Sequence, residues 1–107
     1  MEDKLLGLLG LARRAGKTTC GADAVRRDIQ SGRARAVLLS NDASPRTAGG
    51  IQSACEKNGT ACFTVPYDMA ELGGSMGRGD TAVAAICDKG FAHRVSELCR
   101  GITGGIC

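Results

Sequence analysis

The sequence predicts an α/β sandwich, with helices on both faces of a small and largely internal sheet. Three observations predict it. Apolar residues recur at three and four in some segments, short continuous apolar runs fill others, and the two kinds alternate regularly along the chain. At 107 residues there is room for one compact core and no second one, so a single domain over residues 1–100 with a glycine-rich flexible tail over 101–107 is expected.

The segment Glu2 to Ala15 places Leu5, Leu6, Leu8, Leu9 and Ala12 at helical spacing. Glu2 and Asp3 suit the positive end of that helix, Arg13 and Arg14 its negative end, and Gly16 closes it. Gly7 and Gly10 each cost about 1 kcal/mol relative to alanine, which marks them as places where another backbone comes close. After a short extended piece, Lys17 to Cys20, a second helix runs from about Gly21 to Ser31. Its buried face is Ala22, Val25 and Ile29, its outer face Asp23, Arg26, Arg27 and Gln30, and Gly32 is its stop.

Ala36 to Ser40 is short and continuously apolar, as a strand covered on both faces should be. Ser44 then reads as an N-cap and Pro45 as the first residue of a third helix that ends near Lys57, before Asn58-Gly59. Ala61 to Val65 is the next strand, broken at Pro66. Asp68 and Glu71 have the spacing of a capping box at the start of a short helix through Leu72. Thr81 to Cys87 is the last strand, and Asp88 caps a final helix carrying Phe91, Val95, Leu98 and Cys99 on one face.

Composition narrows the function. Apolar residues make up 43% and charged residues 23%, the balance of a folded domain. The only aromatics are Phe63, Phe91 and Tyr67, too few for a platform on which several bases stack. The net charge is +3, but Arg13, Arg14, Lys17, Arg26, Arg27, Arg33 and Arg35 all lie in the first third, a candidate phosphate-facing surface or else a solvated face. Cys20, Cys55, Cys62, Cys87, Cys99 and Cys107 form no C-x-x-C pair and follow no signal peptide, so reduced thiols and a cytoplasmic location are expected. With His93 the sole histidine, a zinc site is not expected, and no run reaches the ~20 apolar residues of a membrane span.

Gly16-Lys17-Thr18 has the look of a phosphate loop and fails on spacing. That motif needs glycine at position 11, where Leu11 stands, and a strand rather than a helix before it. His93 has no nucleophile to serve and belongs on the outer face of the last helix. Asp42 and Ser44 are accounted for by a turn and a cap. No convergent catalytic pair is visible, so no catalytic role and no cofactor are expected.

More informative is Cys20-Gly21-Ala22-Asp23-Ala24-Val25-Arg26-Arg27, where a strand turns through glycine into a helix whose second turn is basic. Backbone N–H groups at such a start, followed by arginines, can grip a phosphate backbone. A second glycine-rich segment, Gly73 to Asp80, leads into the last strand.

These two segments, with LLGLARRAGK at 8–17, SGRARAVLLSNDAS at 31–44, VPYDMAELGGSMGRG at 65–79 and AVAAICDKGFA at 82–92, resemble the kink-turn-binding ribosomal protein family. The likeness is to the L-seven-Ae and L-thirty-e group and its small bacterial members of the YlxQ type, and it runs from about Leu5 to Leu98. It implies a three-layer α-β-α sandwich around a four-stranded mixed sheet. It also implies that the motif G-x-N-E-x-x-K, which contacts sheared G·A pairs, falls on Gly21, Ala22, Asp23, Ala24 and Arg27. The loop that covers a flipped-out base falls on Met76 to Asp80. Asp23 stands where the motif has Asn and Ala24 where it has Glu.

The reading is a monomeric binder of structured RNA, ribosomal RNA and the ribosome among its expected partners, acting through Lys17, Gly21, Ala22, Asp23, Arg26, Arg27, Met76, Gly77, Arg78 and Gly79. The altered Asp23 and Ala24 keep a second reading open, a protein-interaction module on the same fold.

Overall fold

Short buried strands and amphipathic helices alternate in the order the sequence implies. The computed structural model describes residues 4–103, with side chains described for residues 4–100. The elements are α1 (Lys4–Arg14), β1 (Thr18–Cys20), α2 (Ala22–Ser31), β2 (Ala36–Leu39), α3 (Pro45–Asn58), β3 (Ala61–Thr64), α4 (Met69–Ser75), β4 (Val83–Ile86) and α5 (Lys89–Thr103). Glu2, Asp3 and the tail residues 104–107 lie outside the described residues. Helix α5 runs three residues past the boundary expected at 100, because one glycine, at about 1 kcal/mol, is too weak a breaker to end a helix already packed through Val95 and Cys99.

The strands form one mixed sheet in the order β1-β4-β2-β3, with β4 antiparallel to both of its neighbours and β2 parallel to β3. Both central strands, β2 and β4, are buried along their whole length. Their side chains alternate between two cores. Leu38, Ala84 and Ile86 meet Leu5, Leu9, Leu72 and Val95 from α1, α4 and α5, together with Met76 just past the end of α4. Val37, Leu39, Val83 and Ala85 meet Val25, Ile29, Ile51 and Cys55 from α2 and α3. The protein is therefore a three-layer α-β-α sandwich with a four-stranded mixed sheet.

Helix starts follow the local chemistry of the sequence. The Ser44 hydroxyl accepts from the Thr47 N–H at 3.2 Å, with Pro45 opening α3. Asp68 accepts from the Glu71 N–H at 2.8 Å while the Glu71 carboxylate accepts from the Asp68 N–H at 3.0 Å, a complete capping box. The Asp88 carboxylate accepts from the Phe91 N–H at 2.9 Å. Asp42 does organise its turn, by accepting from the Met69 N–H at 3.0 Å and so tying the end of β2 to the start of α4. Of the two helical glycines in α1, Gly10 lies where a Cβ would meet the Ser75 carbonyl at 3.4 Å, as a close approach requires. Gly7 meets nothing within 4 Å, so that expectation fails there; it lines an open groove between α1 and α5 instead.

Strand direction positions the site. Because β1 is antiparallel to β4, the end of β1 lies beside the start of β4, with Cys20 opposite Ala84. The Gly21 N–H donates to the Val83 carbonyl at 3.0 Å. Because β2 is also antiparallel to β4, the chain leaving β2 arrives at the same edge, where the Ser40 N–H donates to the Ala82 carbonyl at 2.9 Å. The start of α2, the start of α3 and the loop before β4 therefore converge on one edge of the sheet.

Candidate nucleic-acid interface

At that edge a cleft of about 290 Å³ is lined by Cys20, Gly21, Ala22, Thr47, Arg78, Gly79, Asp80, Thr81, Ala82 and Val83. One wall is the start of α2. Gly21 sits there at φ +97°, a backbone conformation that costs an L side chain, and it gives α2 no side-chain cap. A Cβ at Gly21 would meet nothing within 4 Å, so the turn presents bare backbone to the cleft. The first-turn N–H groups of α2 are left as open donors at the positive end of the helix dipole.

Helix α2 is held against the sheet from its inner face. The Thr19 hydroxyl donates to Asp28 Oδ2 at 2.6 Å, and the Cys87 thiol approaches the same oxygen at 3.5 Å. Burial pushes the Cys87 thiol up, and the neighbouring Asp28 carboxylate adds to the effect against the Thr19 hydrogen bond, which lowers it. These contacts fix the helix whose start forms the cleft wall.

The other wall is the loop after α4, shaped by how it packs back on that helix. A Cβ on Gly73 would sit 1.8 Å from the Gly79 carbonyl oxygen, so the loop lies directly on the helix backbone. The Arg78 N–H donates to the Gly73 carbonyl at 2.8 Å, and the Thr81 hydroxyl to the Gly79 carbonyl at 3.0 Å.

Met76 corrects the sequence reading. It was expected among the RNA-facing loop residues, but it is fully buried in the core beneath α1 and α4 and anchors the loop from below. Leu72 and Met76 stand four apart, so the helical spacing that continued to Ser75 carried the signal for a core residue.

The remaining candidates separate by position. Gly21, Ala22, Arg78 and Gly79 share the cleft. Asp23, Arg27 and Gly77 are exposed beside it on the same two segments. Arg26 is exposed but turns its guanidinium toward α3, where Nη2 would lie 2.9 Å from a Cβ on Gly50. Lys17 lies at the other end of β1 and does not line the cleft. Thr47, from the first turn of α3, does line it and was not a sequence candidate, since only tertiary packing brings α3 to this edge.

Among the described residues the only contact of ion-pair range is His93 Nε2 to Glu97 Oε1, at 3.7 Å on the exposed face of α5, and none involves an arginine. Asp23 and Asp80 therefore neutralise none of the arginines by direct contact. The Cys20 thiol in the cleft floor is pushed up by burial, an effect opposed by the positive charges of Arg78 and Arg13. Cys20, Cys55, Cys62, Cys87 and Cys99 form no disulfide among the described residues. No group of three or more His, Cys, Asp or Glu side chains suited to a metal ion occurs among the described residues, and no described helix is long and apolar enough to cross a membrane.

The fold and the site together define an α-β-α sandwich whose glycine turn and glycine loop meet at one edge of the sheet. Residues 3–96 match the Ribosomal protein L7Ae/L30e/S12e/Gadd45 family, and the chain belongs to that family. It is 40% identical over 95 residues to RNA-binding protein YlxQ of Bacillus subtilis (strain 168), covering 85% of this chain and 90% of that protein. It is 34% identical over 100 residues to RNA-binding protein YlxQ of Enterococcus faecium, covering 94% and 95% respectively. A protein with unknown function from Bacillus halodurans C superposes with a TM-score of 0.87 at 31% identity, over 91% of this chain and 97% of that one. The Giardia lamblia 15.5kD RNA binding protein superposes with a TM-score of 0.80 at 20% identity, over 99% and 93%, a likeness of fold.

Proposed function

We propose that this protein binds structured RNA at the cleft between the start of α2 and the loop before β4. The observation that carries the reading is the meeting of the Gly21 turn with Arg78 and Gly79 in one concavity. Open N–H donors and unpaired guanidinium groups are the donors that phosphate oxygens accept from, and a bare glycine lets a nucleic-acid backbone come close. Gly21, Ala22, Asp23, Arg27, Arg78 and Gly79 contact the RNA, Gly77 shapes the loop, and Arg26 and Lys17 add to the surrounding positive field. The RNA-binding names of the YlxQ relatives support this class of ligand.

The finer reading is a kink-turn, in ribosomal or other structured RNA, bound by a monomer in the cytoplasm without a catalytic step. Asp23 and Ala24 lack the amide and carboxylate of the motif, so affinity rests more on phosphate contacts and less on base edges. A gel-shift titration with a kink-turn hairpin and an equally long unrelated duplex tests this. The hairpin should bind more tightly, binding should weaken steeply with salt, and Arg27→Ala should weaken it about tenfold across RNA sequences. Equal binding to both RNAs removes the kink-turn reading, and no binding to either at low salt removes the RNA reading.

One observation favours a second reading, a protein-interaction module. The α1–α5 groove, about 480 Å³, is lined by Leu8, Leu98 and Leu11, which is 54% exposed. A protein partner that survives nuclease treatment and is lost on Leu11→Glu would support that reading.

A further inference from the structure

Gly77 lies at φ +67° on the loop between α4 and β4, and its missing side chain is a space already taken. A Cβ there would sit 2.7 Å from Arg13 Cζ, 2.9 Å from Nη1 and 3.0 Å from Nε. The Arg13 guanidinium therefore rests against the loop backbone, although Arg13 belongs to the last turn of α1 and is distant in sequence. The next loop residue, Arg78, lines the cleft beside Cys20 and Gly21. Arg13 thus meets the loop at the residue before Arg78, and both positive charges oppose the upward push of burial on the Cys20 thiol in the cleft floor. Neither makes an ion pair among the described residues; Asp80, on the same loop, is not within 4 Å of either.

Two exposed guanidinium groups brought to one loop without a counter-ion favour a bound anion over none. Each offers several N–H donors in a rigid planar fork, a geometry matched to phosphate oxygens. We propose that Arg13, resting on Gly77, and Arg78, the next residue of the loop, form a second anchoring point that grips a backbone phosphodiester of the bound RNA. This rests on the RNA-binding reading and adds α1 to it. The α2 start and its arginines hold one stretch of backbone, and the Arg13–Arg78 pair holds another across the cleft. Gly77 suits the place twice over, since its φ of +67° strains an L side chain and a Cβ there would displace the Arg13 guanidinium.

The test is a titration of a fluorescently labelled kink-turn hairpin across a range of salt, with the full chain and four variants. For Arg13→Ala we expect binding about tenfold weaker at low salt and the slope of log K against log salt shallower by about one. Arg13→Lys should keep the slope, because the charge remains, and recover part of the affinity. Gly77→Ala should behave like Arg13→Ala, because it expels the guanidinium while both arginines remain in the chain. Arg94→Ala removes one positive charge from the exposed face of α5 and should leave the slope unchanged. Thermal melts confirm that each variant is folded. If Arg13→Ala weakens binding with an unchanged slope, Arg13 only props the loop and the anchoring point is overturned. If Arg13→Ala matches Arg94→Ala while the unaltered chain binds normally, the anchoring point fails and the RNA reading stands. If the unaltered chain does not bind the hairpin, both fail.

Discussion

At the scale of single residues, environment decides role more than residue type does. Met76 and Arg78 lie two apart on one glycine-rich segment; one is fully buried beneath α4 and the other exposed on the cleft. Met76→Ala should leave a cavity and destabilise the fold by about 2–5 kcal/mol, read as a lower midpoint in denaturant. A stability loss near zero would mean the side chain is not the loop's anchor. Cys20 offers a reporter of the cleft itself. Burial raises its pKa against the opposing pull of Arg78 and Arg13, so the thiol stays protonated through neutral pH. Alkylation of Cys20 should be slow at pH 7 and accelerate only at higher pH than in an unfolded peptide. Bound RNA should slow it further, and mass spectrometry of the labelled peptide checks both expectations.

At the scale of elements, the short α4 and its loop carry most of the design. The capping box at Asp68 and Glu71 was legible in the sequence because it depends on residues three apart. Ser44-Pro45 at the start of α3 was legible for the same reason. The close packing of Gly79 on Gly73 was not legible, since a glycine-rich loop can leave a helix in many directions. Gly73→Ala should place a methyl on the Gly79 carbonyl and outweigh the gain of about 1 kcal/mol in helix propensity. The expected result is a net loss of roughly 2 kcal/mol, with RNA affinity falling because the cleft wall moves. A thermal melt and a binding titration on the same preparation check the two effects.

At the scale of the whole molecule, topology makes the interface. The layered alternation of helix and strand follows from hydrophobic period and was readable segment by segment. Strand direction was not, because a run such as Val83 to Ile86, buried on both faces, reads the same parallel or antiparallel. Had β1 run parallel to β4, the Gly21 turn would lie at the Ile86 end, away from the loop. The antiparallel pairing brings Gly21 to Val83, and the starts of α2 and α3 gather at one edge with their positive dipole ends. Resemblance to a known family supplied the mixed sheet and pointed to both segments; only the folded chain shows Thr47 and Arg13 beside them.

The central claim is that RNA occupies this one edge. An amide-resolved NMR titration of the isotope-labelled protein with a kink-turn hairpin addresses it most directly. The account predicts large shifts at Gly21, Ala22, Asp23, Arg27, Arg78 and Gly79, with the amides of Leu11 and Leu98 unmoved. Shifts confined to the α1–α5 groove, with the Gly21 and Gly79 amides silent, would contradict it.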